Sequence, residues 1–103
     1  AVRLSIMGHH FIKITTDALR AAEIKETLEQ KISQAQALLA ALRESGSNLQ
    51  GQVTGFVSDQ RKSLANLRKR IMKFPREYRG DLCRIYRECL ENLETLQQKL
   101  SLS

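Results

Sequence analysis

A chain of 103 residues is long enough for one domain and no more. Its composition, with one proline, five aromatics and no tryptophan, favours helix, because Leu, Ala, Glu, Gln, Lys and Arg dominate and are good helix formers. A net charge of +6 and the lack of any apolar run near 18 residues exclude a transmembrane helix, and no signal-peptide pattern stands at the N-terminus.

The first segment is helical from Asp17 to Glu44. Ala21, Ile24, Leu28, Ile32, Ala35, Leu39 and Leu42 recur at spacings of three and four and form one apolar stripe. Lys31 snorkels beside Ile32. Residues 1–16 admit three readings. Leu4, Met7, Phe11, Ile14, Ala18 and Ala21 extend the stripe as a heptad series, broken further on only by Lys25, which makes one helix of about 40 residues. Alternatively, Val2, Leu4 and Ile6 alternate with polar neighbours, and Ile12 and Ile14 resume the alternation after Met7-Gly8-His9-His10, as in a hairpin. Met7-Gly8-His9-His10 also looks like an expression-tag remnant. The helical reading is preferred, since a lone hairpin has no sheet to join.

Ser45-Gly46-Ser47-Asn48 reads as a loop, with Gly46 able to close the helix in the left-handed region and Ser47 or Asn48 able to cap the next one. The second helix is expected over 48–74. Leu49, Val53, Phe56, Leu64, Leu67, Ile71 and Phe74 form its stripe, and Gln60 fills one polar core slot. Val57 and Met72 lie off this stripe, where they either widen it or line a groove for another helix. Pro75 ends the helix by disfavouring helical geometry at Phe74.

The third helix is expected over 76–101, with Tyr78, Leu82, Ile85, Cys89, Leu93, Leu96 and Leu100 at spacings of four and three. Gly80 weakens its first turns and leaves Asp81 as a second candidate start. Three such helices with short connections pack most simply as an all-α, antiparallel three-helix bundle over 17–103. A first helix that starts near Leu4 would overhang that bundle by three turns and leave its apolar stripe to be covered by something else. In outline the bundle is similar to spectrin-type repeats and to the three-helix N-terminal domains of SNARE proteins, a likeness of shape without a shared motif.

No constellation for catalysis is visible. Cys83 and Cys89 stand six apart on one helix, on different faces and about 9 Å apart in rise, so they do not bridge each other. Their spacing is not that of a zinc site, and His9 and His10 point to different sides. Glu23, Glu26 and Glu29, like Glu88, Glu91 and Glu94, run along helix faces near Lys and Arg and read as solvated surface. There is no Gly-rich phosphate loop, nucleophile elbow or His-Glu zinc motif. The chain is therefore expected to be no enzyme, with no cofactor, metal or small-molecule substrate.

What stands out is charge. Between Arg61 and Arg87 lie ten Lys and Arg residues against Glu77 and Asp81 alone, a local charge of +8. Such an imbalance attracts an anionic partner. Arg61, Arg68, Lys69, Arg70, Lys73, Arg76 and Arg79 are the candidate anion-binding residues. Met7, Phe11 and Ile14 are the candidate apolar contacts of the extended first helix. The expected function is protein–protein or self-association by a helical module of a larger intracellular protein, cytoplasmic or nuclear, with the basic tip oriented to an acidic partner. The alternative is direct binding of nucleic acid or an anionic membrane through the Arg61–Arg87 face.

Overall fold

A computed structural model describes the backbone of residues 2–45 and 49–102, and the side chains of 16–44 and 49–100. Three helices account for nearly all of it: α1 (Val2–Ser45), α2 (Gln50–Ile71) and α3 (Arg76–Leu102). No strand occurs among the described residues. The fold is the expected all-α, antiparallel three-helix bundle with a long first helix.

The N-terminal segment takes the helical backbone. A strand alternation in Val2–Ile6 offers main-chain hydrogen bonds only if a partner strand exists. A helix satisfies them within the segment itself. At 1.5 Å per residue, the 44 residues of α1 span about 66 Å, which accounts for the 67 Å long axis of a molecule only 18 Å across.

Two contacts set the helix register. The Cys89 thiol of α3 donates to the Leu28 carbonyl of α1 at 3.3 Å. Lys31 Nζ of α1 donates to Gln60 Oε1 of α2 at 2.8 Å. Together they place a thiol, an ammonium and an amide, one from each helix, near one level of the bundle. Toward one end, Asp17 and Arg20 of α1 meet Arg70, Lys73 and Phe74, so α1 and α3 run parallel and α2 runs against both. α3 is the central member and packs extensively on both neighbours, whereas α1 and α2 approach each other over a shorter length.

The core is the convergence of the three stripes. Ala21, Ile24, Leu28, Ala35 and Leu42 of α1, Val53, Val57, Leu64, Leu67 and Ile71 of α2, and Leu82, Ile85, Cys89, Leu93 and Leu96 of α3 are buried. Ile32, Leu39, Leu49, Phe56, Phe74, Tyr78 and Leu100 pack at its edge. Val57 belongs to the core and not to an exposed groove, while Met72 is exposed.

α2 ends three residues before the expected Phe74. Its last backbone bonds tighten, with Lys73 N–H donating to the Arg70 carbonyl (3.2 Å) and Phe74 N–H to the Ile71 carbonyl (3.1 Å). This is the 3₁₀-type closure expected where Pro75 pushes Phe74 out of helical geometry. The Pro75 carbonyl then accepts from Tyr78 N–H (3.0 Å) and Arg79 N–H (3.3 Å), which opens α3. Phe74 and Tyr78 meet edge to face with centroids 6.2 Å apart and close the bundle end. α3 runs unbroken through Gly80, so Asp81 is not a second start. The expected caps at Gly46, Ser47 and Asn48 lie outside the described residues; Leu49 precedes α2 without a side-chain capping bond.

Candidate interaction surface

The two register contacts place the start of α3 opposite α1 near residue 15. The α2–α3 turn therefore reaches α1 near Asp17. By helix length, the backbone of α1 extends upstream of that level for about four turns, some 20 Å. Met7, Phe11 and Ile14 fall on this projecting part; their side chains lie outside the described residues.

The cations of the tip do not share one face. Arg61 leans toward α3 and donates to Gln97 Oε1. Arg68 is seven residues on, two helical turns along the same side of α2. Lys69 stands exposed on the outer surface. Arg70 and Lys73 turn toward α1, where with Asp17, Arg20, Ile24 and Phe74 they line a shallow open cleft. Arg76 opens α3 and is exposed; Arg79, one turn on, is half-buried. The Nε of Arg79 is shielded from solvent and has no hydrogen-bond partner among the described residues.

None of Arg68, Lys69, Arg70, Lys73, Arg76 and Arg79 forms an ion pair among the described residues. The acids of the window do not neutralise them. Asp81 pairs at 3.5 Å with Arg84, on the exposed surface of α3, and Glu77 is exposed in the first turn of α3, where a carboxylate answers the positive end of the helix dipole. The tip thus carries six cations that form no ion pair among the described residues.

The cleft is the element that the sequence left unseen. Gln60 stood out as a polar residue in a core slot and Lys31 as a snorkelling one, but their pairing depends on the level at which α1 and α2 meet. The same level brings Asp17 and Arg20 against Arg70 and Lys73.

No group of His, Cys, Asp and Glu among the described residues has the arrangement of a metal site. Both cysteines are free thiols. Burial raises the pKa of Cys89 from 9.0 to about 11, against which the nearby Lys31 ammonium acts in the opposite sense. The thiol is neutral in the folded chain at pH values where the unfolded chain already carries thiolate. The folded state then holds the extra proton, so this contribution to stability is present in full below pH 9.0 and is lost as pH rises toward about 11. Chemical unfolding of the parent and of Cys89→Ala across that range should show the gap between them narrow with rising pH. A constant gap would mean that the buried thiol does not titrate in this way.

No helix among the described residues is long and apolar enough to cross a membrane. No protein-family model, curated protein or solved structure matches the chain. The likeness of outline to spectrin-type and SNARE bundles therefore carries no functional argument.

Proposed function

We propose that this chain is a non-enzymatic helical association module, a scaffold or adaptor element of a larger intracellular protein. It joins a protein partner, or a second copy of itself, through the projecting end of α1, and its basic tip favours an acidic contact. The observation that carries this reading is the projection itself. An isolated helix of about four turns is marginal in water, and in sequence Leu4, Met7, Phe11, Ile14 and Ala18 recur at heptad spacing along that end. A coiled-coil contact on that seam would cover it.

The test compares the parent with Phe11→Asp/Ile14→Asp and with Lys69→Glu/Arg70→Glu. Self-association is read by sedimentation over a concentration series, and capture of a helical partner by binding of a leucine-heptad peptide. The apolar variant should lose both while keeping its helical content. The charge variant should keep self-association. A parent that stays monomeric and ignores the peptide would overturn the reading.

A second reading rests on a separate observation, the six cations without carboxylate partners. Direct binding of a polyanion, nucleic acid or acidic membrane, would release counterions and weaken steeply with salt. Affinity for a mixed-sequence oligonucleotide should then fall by orders of magnitude between about 50 and 200 mM salt. Lys69→Glu/Arg70→Glu should abolish it and Phe11→Asp/Ile14→Asp should leave it intact. No binding at the low-salt end would dismiss nucleic acid as the target.

A further inference from the structure

We infer that the cleft between α1 and the α2–α3 turn is a binding site for an aryl phosphate, a phosphate monoester carried on an aromatic ring. Every side chain it uses lies within residues 17–24 and 70–74. The site therefore stands apart from the projecting end of α1 and from the association proposed above.

The α1 wall is one line of helix. Asp17, Arg20 and Ile24 follow each other at steps of three and four and so share a face. The opposite wall is the closing turn of α2. There Lys73 N–H donates to the Arg70 carbonyl at 3.2 Å and Phe74 N–H to the Ile71 carbonyl at 3.1 Å. The Phe74 ring is braced edge to face by Tyr78. The backbone that carries Arg70, Lys73 and Phe74 is thus ordered before any ligand arrives, which removes part of the cost of binding.

Charge selects the head of the ligand. Arg20, Arg70 and Lys73 stand against one carboxylate, Asp17, and three cations less one anion leave +2 in the cleft. None of these four groups forms an ion pair among the described residues. A phosphate monoester carries about −1.5 to −2 at pH 7 and matches that balance. A carboxylate, or one diester link of a nucleic acid, brings a single charge. Guanidinium groups also engage phosphate oxygens two at a time. The helix ends at this turn offset each other, because the negative end of α2 lies beside the positive end of α3.

Shape selects the rest. Ile24 is 2% exposed and Phe74 half-buried, so they form an apolar floor below the cationic rim. An aromatic ring covers such a floor and packs well on Phe74, whereas inorganic phosphate leaves it wet. At about 250 Å³ the cleft lies just below the roughly 300–1,000 Å³ of pockets for drug-sized ligands, which suits one ring and one phosphate. A nucleic-acid strand needs cations in a row along its backbone. Here Arg61 leans toward α3 and Lys69 stands on the outer surface, so the tip offers no such row leading into the cleft.

The test is an amide chemical-shift titration of the full chain at pH 8, where phosphate monoesters are dianions, in about 150 mM salt. Phenyl phosphate is the probe. One comparator is phenyl sulfate, with the same ring and tetrahedral oxygens but a single charge. The other is inorganic phosphate, with the charge but no ring. Phenyl phosphate should bind with a Kd on the order of 1 mM, at least about fivefold more tightly than either comparator. The largest shifts should fall at Arg20, Ile24 and residues 70–74. Arg70→Gln/Lys73→Gln should weaken binding at least about tenfold. Lys62→Gln/Lys69→Gln removes the same charge from exposed positions on the outer side of α2 and should change affinity less than about twofold. Asp17→Asn should strengthen binding about two- to threefold. Circular dichroism on each variant checks that the bundle is intact. A capped pentapeptide with a central phosphotyrosine separates the sources. Binding that matches phenyl phosphate assigns the ligand to a protein side chain, and no binding assigns it to a small molecule.

Phenyl sulfate that binds as tightly as phenyl phosphate overturns the inference by removing the charge match. Equal binding of inorganic phosphate overturns it by removing the apolar floor. Weaker binding by Asp17→Asn counts against it in the same way. Equal weakening by the two double variants also overturns it, and leaves a diffuse basic surface, as in the polyanion reading. No shifts up to about 20 mM phenyl phosphate end it outright. The association reading is untouched by any of these results, since no variant alters residues 2–16.

Discussion

Replacing Leu28 with alanine is expected to cost about 2–5 kcal/mol of folding stability. Leu28 is fully enclosed, at 0% exposure, on the face of α1 that packs against the central helix α3. Its own carbonyl receives the Cys89 thiol, and the neighbouring level is pinned by the Lys31–Gln60 hydrogen bond. These contacts oppose the inward shift of α1 that would close the cavity, and a site that cannot collapse loses dispersion contacts as well as hydrophobic transfer energy. A domain of this size has about 5–15 kcal/mol in total, so the variant sits near the edge of folding. The matched control is Leu19→Ala, on the same helix but 61% exposed. It should stay within about 0.5 kcal/mol of the parent. Guanidinium unfolding of the three proteins gives both numbers. Comparable losses at the two positions would show that α1 does not dock with the described face inward.

The opposite effect is expected from Gly55→Ala combined with Gly80→Ala. Both glycines lie inside helices, in α2 and α3. A Cβ built at either meets nothing within 4 Å. Alanine there removes the entropy that glycine loses on folding and adds no clash. Each change is worth about 0.5–1 kcal/mol, and the two should add because the sites share no partners. For a domain of this size, 1 kcal/mol corresponds to about 4–8 °C in Tm. Thermal unfolding of the double variant should therefore rise clearly above the parent. A loss at Gly80 alone would mean that the first turns of α3 need glycine for something other than helix, such as close approach of another chain.

The fold was legible because periodicity carries most of it. The stripe from Leu82 through Leu96 reads directly as a buried face, and its members are the buried residues of α3. Where reading by heptads went astray, helix geometry explains it. A three-residue step from Val53 puts Phe56 on the stripe and leaves Val57 beside it, where it either widens the core or lines a groove. In a straight helix Val57 lies about 40° from Val53 and Phe56 about 60° to the other side. The face centred on Val53, Leu64 and Ile71 thus takes Val57 fully, at 4% exposure, and leaves Phe56 at the rim.

The surface was less legible. Ten cations within 27 residues are obvious in the sequence. Their separation into an α3-facing side at Arg61 and an α1-facing side at Arg70 and Lys73 depends on how α2 is rotated against two helices distant in sequence. The same holds for the cleft, whose lining comes from residues about 50 positions apart. Local patterns do not encode such meetings; only the assembled register does.

That register has a metrical consequence. Sliding α1 along the α2–α3 hairpin by one heptad would still bring apolar residues onto apolar residues, because the stripe repeats. It would also move the free end of α1 by about 10 Å. One contact that distinguishes one notch from the next is the Lys31–Gln60 bond, since a slip of seven residues would set the ammonium level with Val53 or Leu67 in place of Gln60. This one polar pair works like the zero line of a vernier scale. It does little for how strongly the rod is held, and it determines how far the rod sticks out.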